Sequence, residues 1–164
     1  MILLTGERHG GKTGLAMEII AQARAKGLHV AGIASPGLWE GGQRSGFDIL
    51  ELDTGQRYPL SRRIQGLRPM PFMFDAQALS KGKAALSQSR CRDADLLVVD
   101  EVGPWELEGG GWADRLPGLL SLHPPVQIWV VRRSLAQAVQ RHFGFQARIV
   151  DLESIRALEQ IFPG

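Results

Sequence analysis

The sequence predicts an α/β fold: a mainly parallel β-sheet flanked by helices, with a small inserted β-hairpin. Three observations predict it. Strand-like apolar runs alternate with helical periodicity for most of the 164 residues. Two runs, Leu96-Leu97-Val98-Val99 and residues 126–131, are apolar nearly throughout, as strands buried on both faces are. Asp53-Thr54-Gly55 supplies turn chemistry after an alternating segment, which breaks the pattern once with a hairpin. The length fits one domain, residues 1–164.

Residues 2–5 read as a short buried strand ending at a glycine. Residues 12–26 read as a helix: Leu15, Ile19 and Ala23 recur every fourth residue, Ala16 and Ile20 flank them, and Gly27 is a natural stop. Residues 28–34, small and branched, predict a second strand. Residues 36–46 hold five glycines or prolines and predict a loop. Residues 47–52 alternate apolar and acidic, and residues 57–60 return as the hairpin partner. Residues 67–74 contain two prolines and give no clear element. Asp75 or Ser80 caps a helix reaching about Arg90. Residues 95–101 form a central strand ending in two acids. Residues 112–122 predict a helix with a break near Pro117, and residues 126–131 another strand. Residues 134–142 predict a helix capped by Ser134, followed by a strand at 146–150 and a last helix at 152–161.

Apolar residues are 44% and charged residues 22%, a globular composition that excludes a disordered chain. A net charge of +2 is too small to argue for nucleic acid, and the basic residues form pairs rather than a run. The single cysteine, Cys91, excludes an intrachain disulfide and a multi-cysteine metal site, and suits a reducing cytoplasm. His29, His123 and His142 share no ligand spacing. No apolar run reaches membrane-spanning length, so no membrane is expected.

Gly6-Glu7-Arg8-His9-Gly10-Gly11-Lys12-Thr13 fits G-x-x-x-x-G-K-[ST] at every fixed position. Glycines let the backbone curl so that successive N–H groups face phosphate oxygens, and the following helix adds its positive end. The expected nucleotide-binding set is Gly6, Glu7, Arg8, His9, Gly10, Gly11, Lys12, Thr13 and Gly14. Lys12 is expected on the β- and γ-phosphates and Thr13 on Mg2+. Asp100, at the end of the strand at 95–101, is the second metal candidate. Glu101 follows where strand gives way to loop, where a carboxylate can orient or deprotonate a water. Arg132 and Arg133 follow the strand at 126–131 and emerge at the same sheet edge; either can offset phosphate charge, and Arg132 is taken as the catalytic candidate. Arg44 is a further candidate. Trp39, Trp105 and Trp112 lie in or beside loops, where each can pack or stack on a base.

Three stretches together resemble the small nucleoside-triphosphatase family first described in thermophiles. They are the phosphate loop with its helix, the segment Gln43-Arg44-Ser45-Gly46-Phe47-Asp48-Ile49, and Asp100-Glu101-Val102-Gly103-Pro104-Trp105-Glu106-Leu107. The last is the most specific, because a bare acidic strand end does not continue into Gly-Pro-x-Glu-Leu. The resemblance implies a RecA-like P-loop fold and magnesium-dependent hydrolysis of ATP, GTP and other nucleoside triphosphates. Glu106 matches a signature position without an assigned task. The chain departs from the family at Arg8 or His9, where proline is common, at Gly14, where a hydroxyl residue is common, and at Trp105, where methionine is usual.

The leading expectation is thus a nucleoside-triphosphate phosphohydrolase that cleaves the β–γ bond. Two alternatives stand beside it. One is a nucleotide or small-molecule kinase whose acceptor pocket is formed by residues 36–74. The other is a slow nucleotide switch acting on a protein partner, with the glycine-rich segment at 36–46 ordering around the γ-phosphate.

Overall fold

Side chains of successive strand residues point to opposite faces, and here both faces are apolar, so helices must cover both. The computed structural model describes residues 1–7, 10–64 and 72–152. In chain order its first elements are β1 (Ile2–Gly6), α1 (Lys12–Ala25), β2 (Val30–Ala34), β3 (Gly37–Glu40), β4 (Gln43–Glu51), β5 (Arg57–Arg63) and β6 (Phe72–Phe74). Then come α2 (Ala76–Ala85), α3 (Gln88–Cys91), β7 (Leu96–Val102), α4 (Pro104–Leu107) and α5 (Leu116–Leu120). β8 (Val126–Arg132), a 3₁₀ turn (Arg133–Leu135), α6 (Ala136–Phe143) and β9 (Arg148–Asp151) complete the described chain.

Among the described residues the strands form one sheet in the order β6-β5-β4-β2-β7-β8-β1-β9, with β3 paired to β4. The stretch β2-β7-β8-β1-β9 is parallel throughout. β8 lies between β1, which carries the glycine-rich loop, and β7, which carries the paired acids. Leu4, Leu96, Val98, Ile128 and Val130 face α1, whose Leu15, Ala16, Ile19, Ile20 and Ala23 are buried against them. Their neighbours Leu3, Leu97, Val99, Trp129 and Val131 face the opposite layer, with Ala78, Ala85, Leu116 and Val139 from α2, α5 and α6. The result is a three-layer α/β/α architecture, as predicted.

The expected hairpin is the β4–β5 pair, and it belongs to a larger antiparallel extension formed by β3, β4, β5 and β6. The loop expected at 36–46 is instead β3, a turn, and the start of β4. Gly41 and Gly42 both adopt positive φ, 54° and 75°, the two-residue turn whose twist matches flanking strands. The glycines that suggested a loop are the tip of a hairpin. Asp75 caps α2 through Ala78 N–H at 2.8 Å, and the helix breaks after Ala85 instead of running to Arg90. Pro117 lies in the first turn of α5 and starts that helix rather than breaking it. Ser134 makes no cap, because a 3₁₀ turn occupies its position. The helix expected at 152–161 lies outside the described residues apart from Leu152. No described helix is long and apolar enough to cross a membrane.

Candidate active site

β1 is buried from Leu3 to Gly6 and delivers the loop at the carboxyl edge of the sheet. α1 begins at Lys12, and its cap residue Gly11, at φ 93°, offers no side chain to the first-turn N–H groups. They stay available to an anion, which the helix dipole also favours. Gly10 N–H and the Lys12 ammonium both donate to the Glu7 carbonyl, at 3.1 and 2.6 Å. Gly14 is exposed at the start of the helix. Arg8 and His9 lie outside the described residues.

β7 brings the acids to the same edge. Asp100 is fully buried; its Oδ2 accepts from Ser35 N–H and its Oδ1 from Glu101 N–H, each at 2.9 Å. Burial pushes the Asp100 carboxyl above its ordinary range and the Glu101 charge adds to this, while hydrogen bonds from Ser35, Thr13 and Glu101 pull it back. The Thr13 hydroxyl therefore meets Asp100, which joins α1 to β7 at one point. Glu101 is exposed and adopts φ 62°, in the left-handed region that non-glycine residues avoid. The β7–β8 register shifts between Val99 and Val102, so a bulge at Asp100-Glu101 turns the Glu101 side chain out of the strand alternation.

The Lys12 ammonium reports which charges converge. Burial holds it below its ordinary value; the Glu101, Asp100 and Glu7 carboxylates act to raise it, and the Arg132 guanidinium to lower it. Arg132 ends β8 directly opposite Gly6 of β1, which explains its reach. Its neighbour Arg133 is held at the flank of the loop by carboxylates. Arg133 grips Asp151 through two bonds of 2.7 and 2.6 Å and meets Glu7 at 3.3 Å. It ties β9 to the loop. Arg44 lies on the β3–β4 hairpin, its guanidinium 4.9 Å from the Trp39 ring centre and 4.7 Å from that of Phe47.

A cavity of about 360 Å³ opens beside Glu101 and Arg132. Its walls are largely aromatic: Phe47, Phe72, Phe74, Trp105 and Trp112. Trp105 packs on Phe74 at 4.8 Å between ring centres. Glu106 forms part of the lining and is buried. It accepts from Gly103 N–H at 2.8 Å and Trp112 N–H at 3.3 Å, and burial pushes its carboxyl up to about 7. Glu106 therefore staples the turn after β7 to the segment before α5.

The oxygen donors suit a small hard cation. Thr13 supplies a hydroxyl and Asp100 a buried carboxylate held on both oxygens by N–H donors. The adjacent Ser35 hydroxyl is buried without a hydrogen-bond partner among the described residues, so the spot has unused polar capacity. Mg2+ prefers one or two such ligands and keeps several waters, and these residues fit it.

The sequence profile of a family described as NTPase matches residues 1–156. The chain belongs to that family. Among its NTPase relatives, the nucleoside-triphosphatase THEP1 of Methanopyrus kandleri is 32% identical over 81% of this chain and 74% of its own. THEP1 of Pyrococcus abyssi is 32% identical over 75% of this chain and 69% of its own. A human cancer-related nucleoside triphosphatase shares the fold, with a TM-score of 0.71, 22% identity, and 98% of this chain and 92% of the other covered. THEP1 from Aquifex aeolicus does too, with a TM-score of 0.68, 18% identity, and 99% and 98% covered.

Of the residues singled out from sequence, Lys12, Thr13, Asp100, Glu101 and Arg132 come together in this NTPase. Arg133 is instead paired with Asp151 and Glu7, and Arg44 is stacked on Trp39 and Phe47. Sequence reasoning missed Ser35, and it singled out none of the three phenylalanines of the cavity, although all three fall within residues 36–74, the segment the kinase alternative gave an acceptor pocket. Ser35 follows the carboxyl end of β2, which is a general signal for ligand-facing residues in parallel sheets. The phenylalanines carry no comparable signal, because nothing local shows that strands β4 and β6 converge there.

Proposed function

We propose that the chain hydrolyses the β–γ bond of nucleoside triphosphates, ATP and GTP among them, in a magnesium-dependent reaction. Nucleoside-triphosphatase activity follows from membership of the NTPase family and from relatives that carry that name. The observation that carries the finer reading is the convergence of Lys12, Asp100, Glu101 and Arg132 at the loop. Bound magnesium would neutralise phosphate charge while held by Thr13 and Asp100.

The chain's own groups then divide the work. Loop N–H groups and the α1 terminus bind the phosphates, with Lys12 on the terminal pair. Glu101 stands beside Lys12 with its carboxylate exposed, so it can orient a water and take its proton as the oxygen approaches phosphorus. Arg132 faces the same point and offsets the charge that develops on the leaving and equatorial oxygens. Asp100, fixed by two N–H donors, would help hold the metal and takes no part in proton transfer.

The test is phosphate release from ATP, GTP, CTP and UTP with magnesium, with and without EDTA. Release across bases, lost in EDTA, is expected. Lys12→Ala should lower it by on the order of a hundredfold or more, since one such stabilising contact contributes about 3 kcal/mol. Turnover that survives EDTA or the Lys12 variant would remove the assignment. The segment on which the switch alternative relied, residues 36–46, is a paired hairpin rather than a loop.

A further inference from the structure

The cavity beside Glu101 exceeds what hydrolysis requires. A water occupies about 30 Å³ of liquid volume. The cavity measures about 360 Å³, within the range of small-molecule sites. Its aromatic walls come from β4, β6, α4 and, through Trp112, the segment before α5, none of which handles the phosphates. Phe47 and Phe72 meet edge-on at 5.5 Å, and Phe74 and Trp105 at 4.8 Å. Trp105 stays 39% exposed, so part of its ring is open to a ligand. The polar lining is different in kind: Glu101, Glu106, Arg132 and Ser35, whose hydroxyl has no hydrogen-bond partner among the described residues. One cavity thus combines aromatic rings with groups assigned to phosphate handling.

We propose that this cavity holds a second substrate, a small neutral aromatic or heterocyclic alcohol, which takes the terminal phosphoryl group in place of water. The inference rests on the nucleotide site proposed above. Neutrality follows from the mixed lining, because an acidic substituent would face Glu101 and the buried Glu106, and a basic one would face Arg132. The nucleobase does not belong here. A nucleotide reaches Lys12, Glu101 and Arg132 with its terminal phosphate, which leaves the base at the far end of the molecule. In the transfer step the alcohol oxygen forms a bond to the γ-phosphorus. The bond from that phosphorus to the β–γ bridging oxygen breaks, and the nucleoside diphosphate leaves with the electron pair. The alcohol proton passes to the Glu101 carboxylate, and the second product is a phosphomonoester.

The experiment uses the full chain with magnesium–ATP and three probes: benzyl alcohol, 3-pyridylmethanol and 1-naphthylmethanol. Phosphorus NMR follows ester and inorganic phosphate, chromatography follows ADP, and saturation-transfer NMR follows probe binding. A phosphomonoester from at least one probe is expected, with ADP exceeding inorganic phosphate by the same amount. Probe binding should persist in saturating ADP. Trp105→Ala, checked for folding by magnesium–ADP binding, should lower the ratio of ester to phosphate by ~tenfold. Phosphate release with no ester and no probe binding overturns the acceptor site and leaves the hydrolase reading intact. Displacement of the probes by ADP also overturns it, since the cavity would then be the base site. Ester formation with almost no phosphate release in the absence of probe supports the acceptor site and defeats the hydrolase reading.

Discussion

Glu101 holds its carboxylate in the site on a backbone that glycine adopts far more readily. A left-handed φ costs an L-residue about 1–2 kcal/mol, whereas glycine's extra freedom in the unfolded chain costs about 0.5–1 kcal/mol. The first term wins, and Glu101→Gly also removes a charge next to buried Asp100. The glycine variant should therefore be at least as stable as the wild type in urea while releasing no phosphate. Glu101→Gln retains the strained backbone and the hydrogen-bonding shape, so it should bind magnesium–ATP normally and lose turnover by about a hundredfold or more. A clearly lower urea midpoint for Glu101→Gly would show that the conformation stores no strain. Wild-type turnover in Glu101→Gln would move the water-handling role to another group. Such local strain at a strand end is what a sequence conceals, because Asp-Glu is also ordinary turn chemistry.

Elements with a strong period were legible, and those set by contacts between distant segments were not. α1 shows its buried stripe in sequence, and β7 and β8 show continuous apolar runs. Their shared edge then places Lys12, Asp100 and Arg132 together by topology alone. The β3–β4 hairpin was hidden because glycine serves loops and two-residue turns alike. The choice between Arg132 and Arg133 was hidden too, since only the pairing of Gly6 with Arg132 and the grip of Asp151 on Arg133 separate them. α2 shows how a distant contact overrides propensity. A Cβ on its Gly82 would overlap Ile49 Cδ1 and lie 2.7 Å from the Trp112 ring. Helix propensity alone favours alanine there by about 1 kcal/mol, but forcing a methyl into a filled core costs about 1–3 kcal/mol. Gly82→Ala should lower the urea midpoint, with a net loss of roughly 1 kcal/mol. It should also narrow the aromatic cavity through Trp112. A raised midpoint would mean that α2 shifts freely on the sheet.

Across the whole molecule, the site gathers carboxylates in low-dielectric surroundings, and stability should carry their signature. Glu106 is buried, and that burial is the main reason its carboxyl is raised from 4.5 to about 7. Between those values the folded chain still holds a proton that the unfolded chain has released. Bound protons then favour the folded state, so the free energy of unfolding falls as pH rises from about 4.5 to about 7. Above that window both states are ionised at this position, and its full cost persists without further slope. Glu106→Gln retains one acceptor oxygen for Gly103 or Trp112 and removes the titration. In EDTA, its unfolding free energy should decline less steeply than that of the wild type between pH 4.5 and 7. Asp100, shifted in the same direction, leaves a residual decline in the variant. Urea titrations at half-unit pH steps measure both curves. Parallel curves would mean that Glu106 titrates alike in the folded and unfolded chains, and that its bonds to Gly103 and Trp112 fully offset its burial.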